Sequence, residues 1–296
     1  MSVVPLGQPS ADALTAVGPT AAFGPGNTVI PQWYSDSVGL KLQPCLVATA
    51  VCFQVPGLPP GAAGFTSPNG EAFYWVAFGN LNTAGHLGTV AASQLTMGVE
   101  AAFAPAPGPN VFNRIRFRIG VPTAGVYTVT YPYGQKTFNV AALSAKVGRD
   151  INDTTDTGAF NTPNFGLATG PCPATGCANL GTGGPIEPFL RWNATAPAPP
   201  AGFLSDGVTP HGVTGSPTGN NFFRVEGPGI NPNPADPSSA CPGALSGPNC
   251  VQTTLFVMNA QLAAPAPAPA PAPAPVRPGL ALGILKRLLL RLRVVI

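Results

Sequence analysis

Along most of this chain, apolar and polar residues alternate in short blocks, each closed by glycine, proline or asparagine. Alternation with a period of two puts successive side chains on opposite faces of a strand, whereas a helix repeats its apolar positions every three or four residues. Residues 72–78 (AFYWVAF) form a short aromatic run and predict a buried strand. Residues 95–104 and 111–119 predict two more, separated by a Pro-Ala-Pro-Gly-Pro breaker at 105–109. Residues 126–131 lead through Pro132, Tyr133 and Gly134 into 136–140, the pattern of a hairpin. Later strands are expected at 222–225 and 253–258, while 150–219 is mostly turn chemistry, with 186–192 its one convincing apolar stretch. Many short strands with turn residues between them predict an all-β fold, an antiparallel β-sandwich-like body with long loops.

The pattern changes at both ends. Residues 1–26 are small, polar and punctuated by proline and glycine, so a poorly ordered segment is expected there. The body is expected over 27–263, with room for two packed subdomains near 27–143 and 144–263. From 264 to 275 alanine and proline alternate, and the spacer runs on to Pro278. Proline at every second position excludes helix and favours polyproline II, giving a semi-rigid spacer about 40 Å long. Residues 279–296 (GLALGILKRLLLRLRVVI) follow. Wound as a helix, this tail gathers Leu285, Leu288, Leu289 and Leu292 on one face and Lys286, Arg287, Arg291 and Arg293 on the other. A basic amphipathic helix lying on envelope lipid is the leading expectation. A helix docking on another envelope component, or a sorting signal or frameshift at the end of the reading frame, are the alternatives. Its longest uncharged run is seven residues, far below the roughly 20 a spanning helix needs. No transmembrane helix is therefore expected.

Composition sharpens the picture in two ways. Of 296 residues, 36 are Gly and 38 are Pro, while 45% are hydrophobic and 8% charged, which excludes a helical bundle and argues against wholesale disorder. The net charge of +3 belongs to the tail, because five of the fourteen cations lie after Val276 and leave nine against eleven acids in the rest. A nearly neutral body has no global attraction for nucleic acid.

Six cysteines fall into close pairs: Cys45 with Cys52, Cys172 with Cys177, and Cys241 with Cys250. No C-x-x-C knuckle or nearby histidine supports zinc. Three local disulfides are expected instead, and with them an extracytoplasmic location. Residues 1–26 show neither a basic start nor a long apolar run, so the signal peptide is not visible in this sequence.

Chemistry-bearing patterns are sparse. No nucleophile elbow, phosphate-binding loop, dinucleotide fingerprint or zinc-protease motif occurs, so no cofactor and no catalytic residue are expected. Ser205, Asp206 and His211 are neighbours without triad spacing. Asp150, Asn152 and Asp156 offer oxygens at alternate positions, as calcium loops do, but without the glycine and glutamate of an EF-hand; an Asx-turn loop is the alternative. Asn152 and Asn193 begin glycosylation sequons. Arg114, Arg116 and Arg118 line one face of the 111–119 strand, with Ile115, Phe117 and Ile119 on the other. That face fits either an anionic ligand such as an acidic glycan or a solvated surface paired with acids such as Glu100. Arg224 and Glu226 share a strand face and are expected to brace each other or a neighbour. Trp33, Tyr34, Trp75 and Trp192 are candidate sugar platforms if exposed.

Several blocks together resemble an uncharacterised family of secreted bacterial β-rich proteins. They are Pro31-Gln-Trp-Tyr-Ser-Asp36 with Gly39-Leu40-Lys-Leu42, Glu71-Ala-Phe-Tyr-Trp75, Val99-Glu-Ala-Ala-Phe103, Phe112-Asn-Arg-Ile-Arg116 and Tyr127-Thr-Val-Thr-Tyr-Pro-Tyr-Gly134. Gly184-Pro-Ile-Glu-Pro-Phe-Leu-Arg-Trp192, Val213-Thr-Gly-Ser-Pro217 and Asn221-Phe-Phe-Arg-Val-Glu-Gly-Pro-Gly229 complete the series. The resemblance spans residues 30–262 and implies secretion and a single large β module, with no catalytic residue to carry over. The expected function is a non-enzymatic extracytoplasmic module with a structural, surface-display or adhesive role. The second expectation is a carbohydrate-binding module using the arginine face or exposed aromatics.

Overall fold

The short aromatic run at 72–78 lies within the longest strand, Gly70–Ala84. A computed structural model describes residues 16–23, 28–46, 51–52, 70–103, 110–159, 164–169 and 186–264. The described residues are all-β, with short 3-10 turns and no α-helix. Short strands come first: β1 (Ala16–Val17), β2 (Thr20–Phe23), β3 (Thr28–Pro31), β4 (Tyr34–Ser35) and β5 (Lys41–Gln43). The central run follows as β6 (Gly70–Ala84), β7 (Val90–Phe103), β8 (Asn110–Ile119), β9 (Gly125–Tyr131), β10 (Gly134–Val140) and β11 (Ile151–Ala159). The chain then adds β12 (Arg191–Trp192), β13 (His211–Thr214), β14 (Phe223–Glu226), β15 (Cys250–Thr253) and β16 (Leu255–Leu262).

Every pairing is antiparallel. The larger sheet runs β1-β4-β5-β16-β6-β7-β8-β11, with β13 on β16 and β12 on β13, and it curls into a half-barrel. The smaller sheet runs β10-β9-β14-β15, and β2 pairs with β3. Strands after residue 144 complete sheets begun before it, since β11 pairs with β8, β14 with β9 and β16 with β6. The two halves of the body are thus interleaved. The described residues up to Ala263 belong to one compact unit. The Ala-Pro spacer beyond Ala264 and the basic tail with Leu285, Lys286, Arg287, Leu288, Leu289, Arg291, Leu292 and Arg293 lie outside the described residues.

The core sits between the two sheets. Alternate residues of β7 (Leu95, Met97, Val99) and β8 (Ile115, Phe117, Ile119) are buried, as are Trp75 on β6 and Phe256 on β16. The smaller sheet contributes Tyr127, Val129, Phe223, Val225 and Val251, and Val129, Val225 and Val251 stand side by side across three strands. Phe117 meets Tyr131 and Phe138 edge-to-face, with ring centroids 5.3 and 5.7 Å apart. Each such pair adds about 0.5–1.5 kcal/mol to the burial of the rings. Gly79 leaves room for two rings, because a Cβ there would stand 3.0 Å from Phe256 on the neighbouring β16 and 3.2 Å from Phe223 of the smaller sheet.

Three segments differ from their sequence pattern. Within the segment 1–26, expected to be poorly ordered, Ala16–Val17 and Thr20–Phe23 form β1 and β2, and residues 1–15 and 24–26 lie outside the described residues. Of the apolar stretch 186–192 only Arg191 and Trp192 are in a strand, while Ile186, Phe189 and Leu190 are buried in irregular backbone. Residues 151–159, read as a loop from their aspartates, form the nine-residue β11. Partners on β8 outweigh the local turn preference: Asp156 faces Arg114, and the threonines suit a pleated surface.

Two of the expected disulfides are present. Cys45 bonds Cys52 and Cys241 bonds Cys250, with Cα atoms 5.4 and 5.9 Å apart. Loops this short give about 2–3 kcal/mol each in the chain-entropy description. Cys172 and Cys177 lie outside the described residues. Among the described residues, no helix is long and apolar enough to cross a membrane.

Candidate functional site

The alternation that buries Ile115, Phe117 and Ile119 turns Arg114, Arg116 and Arg118 to the opposite, outer face of the larger sheet. Register then places polar residues in rows across the strands. Asn80 of β6, Gln94 of β7, Arg118 of β8 and Asn152 of β11 are direct cross-strand neighbours. With strands about 4.8 Å apart, this row is roughly 14 Å long. The Gln94 amide donates to the Asn80 carbonyl oxygen at 3.0 Å, which joins the row laterally. The next rows bring together Phe78, Thr96, Arg116 and Thr154, and then Val76, Gly98, Arg114 and Asp156.

The three arginines have different surroundings. Arg114 donates two parallel hydrogen bonds to Asp156, at 2.8 and 2.9 Å, and its Nη1 lies 3.2 Å from Glu100 Oε2. Burial works against its charge, but the Asp156 hydrogen bonds and the Glu100 carboxyl outweigh that and raise its pKa. Glu100 is fully buried, and burial pushes its carboxyl up to about 9; Arg114 opposes this, and the hydrogen-bonded Glu71 reinforces it. Raised this far, the Glu100 carboxyl keeps its proton at neutral pH. Arg116 is held below its usual value by burial and then by repulsion from Arg114. Arg118 is lowered likewise, by burial and then by Arg116, Arg149 and Arg114. Its Nη1 donates to the carbonyls of Phe117 and Asp153 and to Thr154 Oγ1, at 3.0–3.3 Å. Among the described residues neither Arg118 nor Arg149 forms an ion pair.

Beside Arg118 the outer face opens into a cleft of about 500 Å³, lined by Asn80, Asn82, Gln94, Arg118, Val147 and Arg149 among others. Its far wall is the connection from β10 to β11. Asp150 fastens that wall, because its buried carboxylate accepts from the backbone N–H of Ser144 at 2.7 Å and of Val121 at 3.0 Å. Gly148, at φ +75°, lets the wall turn while its Cα stays close to Gly120. A second cavity of about 400 Å³ adjoins along β6, shares Asn80 and Asn82, and contains Asp236, Ser238 and Gln252.

Other candidate residues are placed as follows. Asp150, Asn152 and Asp156 do not converge, since six residues of strand separate the first and last by roughly 20 Å. Asp150 is engaged by backbone amides, Asn152 is exposed, and Asp156 is held by Arg114. No group of three or more His, Cys, Asp or Glu suited to a metal occurs among the described residues. The Ser205 hydroxyl donates to the Met258 carbonyl, while His211 packs against Trp192 with ring centroids 5.5 Å apart. Arg224 and Glu226 approach to 3.8 Å. Tyr34 and Trp75 are buried. Trp33 is half-buried beneath the Lys41 ammonium, 4.3 Å from the ring, and Trp192 is half-buried against His211. None of these four aromatic residues is an open platform.

The residue pattern alone did not single out Asn80, Asn82, Gln94 or Arg149. The three amides occupy the outward positions of β6 and β7, so polar residues at alternate positions were their only signal. A second arrangement also escaped it: buried Asp36 accepts from the backbone N–H of Val38, Leu40 and Phe189 and from Arg191. Comparison with known proteins returns no matching family model, no matching curated protein and no matching solved structure.

Proposed function

We propose that this chain is a non-enzymatic extracytoplasmic β module with an adhesive role, and that the outer face of its larger sheet is the contact surface. One observation carries the reading: Arg118 and Arg149 stand at an open polar cleft without an ion pair among the described residues, whereas Arg114 on the same face is consumed by Asp156 and Glu100. A guanidinium without an ion pair has donors available for charge-assisted hydrogen bonds to an anion. The Cys45–Cys52 and Cys241–Cys250 disulfides support an oxidising compartment. The resemblance to secreted bacterial β-rich proteins points the same way. In this reading the Ala-Pro spacer holds the module off the envelope, and the basic tail rests on anionic lipid or on another envelope component. Of the two carbohydrate-binding versions, the arginine-lined face is favoured over the aromatic one, because Tyr34 and Trp75 are core residues.

Surface labelling of intact host cells tests the location together with the cysteines. A membrane-impermeant biotin reagent is expected to label the protein, and all six cysteines to resist alkylation until reduced. Labelling only after lysis, with free thiols, would overturn the proposal.

A further inference from the structure

We infer that the cleft between β6, β7, β8 and the 147–149 wall binds an anionic polysaccharide, one acidic group seated between Arg118 and Arg149 and the flanking hydroxyls on Asn80, Asn82 and Gln94. This deepens the adhesive reading and rests on it.

The chemistry of the lining selects the ligand. Two guanidinium groups without ion pairs supply fixed donors for a carboxylate or sulfate, and Arg does this better than Lys because its fork matches the oxyanion geometry. Three side-chain amides add donors and acceptors in equal number, which suits hydroxyls that both give and accept hydrogen bonds. Burial and the mutual repulsion of Arg116, Arg149 and Arg114 disfavour the Arg118 charge in the free protein, and an anion relieves that repulsion. The Asn80–Gln94–Arg118–Asn152 row provides a track of roughly 14 Å across the strands, long enough for a short run of sugar rings.

Nucleic acid fits less well. Its recognition draws on many phosphate contacts and on aromatic stacking, whereas this cleft has two cations and no aromatic lining residue.

Isothermal titration of the full chain tests this with four probes: an oligouronate hexamer, a sulfated hexasaccharide, a neutral glucan hexamer and a single-stranded DNA oligonucleotide of matched charge. One or both acidic glycans should bind, with affinity falling at least tenfold in each of Arg118→Gln and Arg149→Gln and the neutral glucan silent. Arg118→Lys should keep part of the affinity. Cooperative melts within a few degrees of the native protein would show that the variants fold, the Arg118 changes losing at most its hydrogen bonds to Phe117, Asp153 and Thr154. Acidic glycan binding undiminished in both variants would place the anion on the basic tail and overturn the inference. Equal or tighter binding of the DNA, or no glycan binding at all, would overturn it too. The surface-labelling and alkylation result stands apart from all of these, so the location can hold while the ligand fails.

Discussion

Asp36→Ala is expected to cost about 3–5 kcal/mol of stability, the range seen when one member of a buried, charged hydrogen-bond network is removed. Asp36 is completely buried in the turn between β4 and β5. Its Oδ1 accepts from the backbone N–H of Leu40 at 2.7 Å and of Val38 at 3.2 Å. Its Oδ2 accepts from the N–H of Phe189 at 3.2 Å and from Arg191 Nη2 at 3.1 Å. One carboxylate therefore shapes a tight turn and pins a segment more than 150 residues away in sequence. Alanine leaves those donors without it, the Phe189 N–H in the buried interior. A fall in melting temperature of roughly 10 °C follows for a domain of this size. Asp36→Asn should also destabilise, because its amide turns a donor toward Phe189 and Arg191 or toward the turn. Thermal melts by circular dichroism read both, and a change below about 1 kcal/mol in Asp36→Ala would contradict the role assigned to it.

The second large effect is a dependence of stability on pH. The Glu100 carboxyl, pushed up to about 9 from an ordinary 4.5, binds its proton more tightly in the folded chain than in the unfolded one. Between those values the folded state carries the extra proton, so stability falls as pH rises through that window and is fully present below it. The loss is on the order of 2–4 kcal/mol by pH 9, once water entry and the nearby Arg114 are allowed for. Glu100→Gln keeps the neutral shape and removes the titration. Melting temperature against pH should then decline from 5 to 9 in the native protein and much less in Glu100→Gln. Parallel curves for the two proteins would show that Glu100 is ionised at neutral pH in the folded chain.

How much of this was legible beforehand varies along the chain. The order of β6 to β10, and the bounds of β8, β9 and β10 to within two residues, follow from local alternation and from the Pro132-Tyr133-Gly134 turn, because each is a contact between neighbours in sequence. β6 runs six residues past the expected end at 78 and β7 starts five before the expected 95, because the two extensions pair with each other. The arginine face of β8 follows from the same period. Its division of labour does not, since Asp156 reaches Arg114 only once β11 pairs with β8, and β11 looks locally like a loop. Asp36 and Phe189 meet across 153 residues, which no local signal encodes. The cleft depends on register: Gln94 faces Arg118 rather than Phe117 because a slip of one residue would turn the apolar face outward. The sequence shows the Asp150 oxygens but not their partners, the backbone amides of Val121 and Ser144 that fasten the cleft wall.

Amide chemical-shift mapping of the full chain, titrated with the acidic hexasaccharide that binds most tightly, asks directly which surface does the work. The expected perturbations cluster at Asn80, Asn82, Gln94, Arg118 and residues 147–149, with the smaller sheet silent. Perturbations confined to β9, β10 and β14, or to residues 279–296, would contradict the assignment of the outer face as the contact surface.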